Sequence, residues 1–80
     1  MNTEKRHISS AFDRDLETIQ ALVVRMGGMV ERAIADAATA LETFDDELAE
    51  EVRRRDQEID ALDAQVNEDA ARLIALRAPA

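Results

Sequence analysis

From Phe12 to Phe44, apolar side chains recur at Leu16, Ile19, Val23, Met26, Val30, Ala33, Ala37 and Leu41, in steps of four and three with one doubled four near the end. A chain patterned this way can bury those residues only along one side of an α-helix. A seam kept up for so many turns belongs to a helical bundle. Strand-like alternation, low-complexity tracts and internal repeats are absent. Ser9 or Ser10, followed by Asp13, Asp15 and Glu17, offers an N-cap and a first turn suited to the helix dipole, so the first helix is expected over about 9–43.

A second pattern follows "TFDDELAEE", where Asp45 or Asp46 is the next cap and Leu48, Val52, Ile59, Leu62, Val66, Leu73 and Leu76 continue the seam. Arg77 in the last turn and Pro79 beyond it place the second helix at about 46–77. A connection of a few residues makes the helices antiparallel. The expected fold is all-α: residues 1–80 form one helical hairpin with arms of roughly 50 Å at 1.5 Å per residue.

The hairpin has little to hold it together. Apolar residues make up 46% of the chain, but fifteen of them are alanine and the only aromatics are Phe12 and Phe44. No cysteine is present to form a disulfide, so stability has to come from a partner chain, a further segment or a metal. With Leu22, Met29 and Ile34 included, the apolar arc of the first helix is about 140° wide, broader than a strict two-helix seam. That width implies a third helix in the hairpin groove, from the rest of a longer polypeptide or from another copy, and a homo-oligomer is the expected state in the second case.

A formal charge of −8 argues against nucleic acid as a partner, since phosphate backbones bind cationic surfaces. No apolar run is long enough to span a membrane, and "MNTEKRHISS" lacks the apolar centre of a secretion signal; a cytoplasmic location is expected. Arg53, Arg54 and Arg55 stand among Glu50, Glu51, Asp56 and Glu58, a pattern read as a solvated face with local ion pairs or as a patch for an acidic partner. His7 is the only histidine. There is no nucleophile–base set and no phosphate-binding glycine loop, so no enzymatic activity is expected.

Two features remain to be explained. Gly27 and Gly28 interrupt the first helix, where each glycine costs roughly 1 kcal/mol relative to alanine. Gly27 flanks the apolar arc, where another helix can approach bare backbone. At the same level, Asp56, Asp60, Asp63 and Asn67 recur on the second helix in steps of four, three and four, beside the seam instead of opposite it. Carboxylates one turn apart can converge on a cation. The same spacing also suits a solvated face, or partners for Arg or Lys across a bundle interface.

These residues resemble the PhoU family, regulators of phosphate uptake and phosphate signalling in bacteria. The likeness runs from "RHISSAFDRDLETIQ" through "MGGMVERAIADAATAL" to "FDDELAEEVRRRDQEIDALDAQVNEDAARLIALRAP", with "MGGMVE" and the acidic "RDQEID" as its more specific parts. The resemblance implies the first two helices of a PhoU-like three-helix bundle, completed by a missing helix or a second copy. It also implies a role as a regulatory adaptor between a phosphate ABC transporter and a membrane sensor histidine kinase, restraining phosphate-starvation signalling and uptake. Family members bind metal through Glu/Asp-x-x-x-Asp motifs on facing helices, and "DQEID" carries Asp56 and Asp60 over as ligands for divalent or iron ions. Asp63 and Asn67 join them from spacing alone. The companion motif belongs to the third helix, so this chain holds half a site. A self-pairing structural module and a metal-binding bundle are the alternative readings of the same residues.

Overall fold

The computed structural model describes residues 3–77, and side-chain surroundings from Ser10 onward. It is a hairpin of two α-helices, α1 (Thr3–Thr43) and α2 (Asp46–Arg77), with no strand among the described residues. The expected bounds of α2 hold, whereas α1 begins six residues earlier than expected. Ser9 and Ser10 therefore lie inside α1 and do not cap it. The stretch Glu4-Lys5-Arg6 consists of good helix formers, and no glycine or proline precedes Gly27 to stop the helix. The side chain of His7, and Pro79 altogether, lie outside the described residues.

The turn is built by two fitted ends. Phe44 takes a left-handed conformation with φ 52°, and the Asp45 amide donates to the Ala40 carbonyl at 3.0 Å. This is the long closing bond of a Schellman ending, with Phe44 where glycine is most common. Asp45 then caps α2: its Oδ1 accepts from the Leu48 amide at 3.0 Å, and its carbonyl accepts from Ala49 at 3.1 Å.

The arms pair in antiparallel fashion along their whole common length. Asp36 meets Arg55 near the turn, and the Arg77 guanidinium stacks 4.9 Å over the Phe12 ring at the open end. Because Phe12 already faces the last residue of α2, the turns of α1 ahead of it run past the shorter arm. The molecule measures 65 × 20 × 14 Å, with a radius of gyration of 18.5 Å, against about 12 Å for a compact domain of this length. Its accessible surface is 6627 Å², where a compact fold of this mass exposes about 4,800 Å².

That excess reflects a core that stays thin. Only Ala40, Ile59, Val66 and Leu73 are buried among the described residues. Phe12, Ile19, Leu22, Met26, Met29, Ala33 and Ala37 are half-buried against α2. The rest of the expected α1 seam, Leu16, Val23, Val30, Leu41 and Phe44, is exposed, and so is Leu76 on α2. One helix covers about half of a 140° arc, so the seam divides into a shared half and an open half. Leu76 falls on the opposite shoulder of α2, about 100° from the Ile59 direction at 100° per residue, which takes it out of the seam.

Phe44 is 91% exposed and so gains nothing from packing in return for its strained backbone. Phe44→Gly is expected to stabilise the hairpin by about 0.5–1 kcal/mol, the left-handed cost for a non-glycine residue exceeding the entropy cost of glycine. Chemical denaturation followed by circular dichroism would measure the change.

Candidate functional site

The hairpin has two long sides, and their chemistry differs. On one side the open half of the α1 seam presents Leu16, Val23, Val30, Ile34 and Leu41, of which Ile34 and Leu41 are the most exposed. Near the turn this side forms an open groove of about 420 Å³, where Ala37, Leu41 and Phe44 face Ala49, Val52 and Arg53. The pairing shows which edge of α2 borders the open seam. Helical periodicity carries that edge through Asp56, Asp60, Asp63, Asn67 and Ile74, all of them exposed. The antiparallel register then sets Asp56 level with Ile34, Asp60 with Val30, Asp63 with Gly27 and Asn67 with Val23. The result is a furrow with an apolar wall on α1 and an acidic wall on α2.

The acidic stripe thus stands where the sequence places it, beside the seam. Asp56, Asp60 and Asp63 make no ion pair among the described residues, whereas other surface carboxylates do: Glu50 with Arg53, Glu68 and Asp69 with Arg72. Asp56 and Asp60 lie one turn apart on the furrow shoulder and supply the oxygen donors that hard cations take. Among the described residues no three His, Cys, Asp or Glu side chains gather to hold one ion. On their own these donors are too few to enclose an ion; they would fit a metal site only as one wall of it.

On the opposite side Arg25, Arg32 and Arg55 line one groove, with Glu58 in the groove adjoining it. Asp36 Oδ2 accepts from Arg55 Nη2 at 2.7 Å, with both side chains half-buried between the arms. The Arg run thereby divides: Arg53 pairs locally with Glu50 at 3.4 Å, as a solvated face would, but Arg55 reaches across the hairpin. Sequence reasoning missed this pair. Its signal was available, because the antiparallel register sets residue 55 level with residue 36.

Neither glycine is explained by contact between the two arms. A Cβ at Gly27 or Gly28 would meet nothing within 4 Å. Gly27 borders the open furrow level with Asp63, and Gly28 lines the arginine groove on the opposite side. Both keep bare backbone facing space outside the hairpin.

The fold defines a class of protein: an all-helical antiparallel hairpin with an apolar furrow left open along one side. The chain belongs to the PhoU family, whose domain model, described as PhoU domain, matches residues 23–80. It is 39% identical over 92% of its length to the phosphate-specific transport system accessory protein PhoU of Escherichia coli, and equally so to the PhoU homolog of Pseudomonas putida. It is 42% identical over 96% of its length to the homolog of Zymomonas mobilis. The chain spans 31%, 29% and 32% of those three relatives. No solved structure matches it.

The glycines give a paired expectation. Gly27→Ala and Gly28→Ala should each stabilise the hairpin alone by about 0.5–1 kcal/mol, since neither meets a neighbour. Gly27→Leu should weaken association with a covering helix by about 1–3 kcal/mol through overpacking. Thermal melts of the hairpin, and a binding titration with the covering helix, separate the two effects.

Proposed function

We propose that this chain forms two of the three helices of a PhoU-type bundle and that the assembled bundle is a regulatory adaptor in phosphate uptake. The observation that carries this reading is the furrow, whose exposed apolar wall runs for most of the hairpin. A surface of that length fits a helix laid in a groove, with anchors at helical spacing. The relatives bear the name of accessory proteins of a phosphate-specific transport system. That name supports the transporter as a partner; a sensor histidine kinase as the second partner, and action in the cytoplasm by protein contact without catalysis, follow from the resemblance to the family. The outcome is restraint of uptake and of the starvation response when phosphate is plentiful.

The acidic wall gives the bundle a second task. Asp56 and Asp60, with Asp63 beside them, are the residues that would hold a divalent or iron ion once the third helix contributes its own carboxylates. A bound cation would neutralise charge at the furrow and fasten the covering helix to α2. Homodimerisation is the competing way to close the furrow. It sets the acidic walls of two copies near one another, which is costly without cations between them.

The adaptor reading is tested in a bacterium lacking its own family member. The protein should restore repression of a phosphate-starvation reporter in phosphate-rich medium, and Val30→Asp/Ile34→Asp should abolish that repression while α2 and its surface stay unchanged. A reporter indifferent to the protein would overturn the reading. For the metal, titrating the assembled bundle with Mn²⁺ or Fe²⁺ should raise its melting temperature, with about 2.7 kcal/mol gained at a hundredfold excess over Kd. Asp56→Ala/Asp60→Ala should remove most of that rise.

A further inference from the structure

The side of the hairpin away from the furrow gathers positive charge in a chain whose net charge is −8. Arg25 and Arg32 of α1 and Arg55 of α2 line one groove of about 320 Å³, together with Gly28 and Met29. Arg25 and Arg32 lie two turns apart, about 10 Å along the axis, and Gly28 between them raises no side chain. A Cβ there would stand in open space, so nothing on α1 fills the gap the two arginines flank. Neither arginine makes an ion pair among the described residues, in contrast to Arg53 and Arg72.

Arg55 forms the inner edge of this groove, and its own bonding is incomplete. Asp36 takes a single bond from Nη2 at 2.7 Å, and Nε is buried with no acceptor. A guanidinium matched to its carboxylate as a fork would use two parallel bonds. Asp36 holds Arg55 in place and leaves donor capacity unspent. The groove is lined by three guanidinium groups and no carboxylate; Asp36 at Arg55, and Glu58 in the adjoining groove beside Arg25, offset part of that charge and leave a net positive lining.

We propose that this groove binds a phosphate group, either as inorganic phosphate or as the phosphate of a small monoester. Guanidinium forks present several donors in a plane and pair with the oxygens of a tetrahedral oxyanion. A groove floored by glycine lets such an anion approach closely, as Cβ-free backbone does elsewhere. The site lies away from the open seam, so a helix filling the furrow leaves it accessible. The proposal stands apart from the adaptor reading, and either one can fail alone.

The test is isothermal titration of the protein with sodium phosphate at constant ionic strength, with adenosine monophosphate as a second arm. Saturable binding at roughly millimolar Kd is expected for a solvent-open site. Arg25→Ala/Arg32→Ala should weaken it by about tenfold or more, the size of effect lost with charge-assisted hydrogen bonds. Gly28→Leu should do the same with all three arginines present, and because leucine favours helix, loss of fold cannot be the reason. Arg53→Ala/Arg54→Ala, removing equal charge outside the groove, should leave affinity within about twofold. Equal affinity for phosphate and the nucleotide identifies free phosphate as sufficient; much tighter nucleotide binding identifies a monoester. Absence of saturable binding in both arms, or binding that survives both groove variants, overturns the proposal.

Discussion

Two antiparallel helices touch along a single line, and that line can shelter only the residues within a narrow arc of each. The apolar arc of α1 is wider than this, so Leu16, Val23, Val30, Ile34 and Leu41 stay in water although they continue the seam. The thinness of the core, the elongated shape and the large exposed surface share this one cause. A helix of this length with so little buried area is stable chiefly through tertiary packing, and here much of the packing surface is still open. A helix laid over that open seam would also lie beside Asp56, Asp60 and Asp63, on the edge of α2 that borders it.

The adjacent glycines acquire different roles from this geometry. They are neighbours in sequence, yet successive positions on a helix point about 100° apart, so Gly27 falls on the furrow shoulder of α1 and Gly28 on its outward face, beside the arginines. One opens backbone toward the furrow and the other toward the arginine groove. A pair serving helix bending alone would need no such division.

Most of the fold was legible because its signals are local. The three–four spacing, the Asp45 cap and Arg77 at the end of α2 each act within a few residues. The early start of α1 was hidden because Ser9 and Ser10 imitate a cap in a stretch where helix formers on both sides favour continuation. The split of the seam was visible only as excess width, since periodicity states which residues are apolar and not which of them a single partner reaches. The stripe of Asp56, Asp60 and Asp63 follows from helical spacing, and all three side chains are exposed on α2. The Asp36–Arg55 pair was not seen, because Arg55 sits in a run whose neighbours offer local partners, and only tertiary register distinguishes it from Arg53.

That pair bears on how α1 is set about its own axis. A 140° arc has two halves of similar apolar character, and hydrophobic burial alone discriminates poorly between presenting one half to α2 and presenting the other. The short turn determines which residues are level but constrains rotation of the long arm less strictly. Asp36 and Arg55 can meet only when α1 turns Met29 and Leu22 inward and leaves Val30 and Ile34 outside. A half-buried charged pair contributes little net stability when compared with an apolar replacement, because solvent screens the attraction and partial desolvation opposes it. Separating the partners is another matter, since each charge would then be left partly desolvated without its counterpart. The free energy of the pair therefore acts less on whether the hairpin forms than on which face it leaves open.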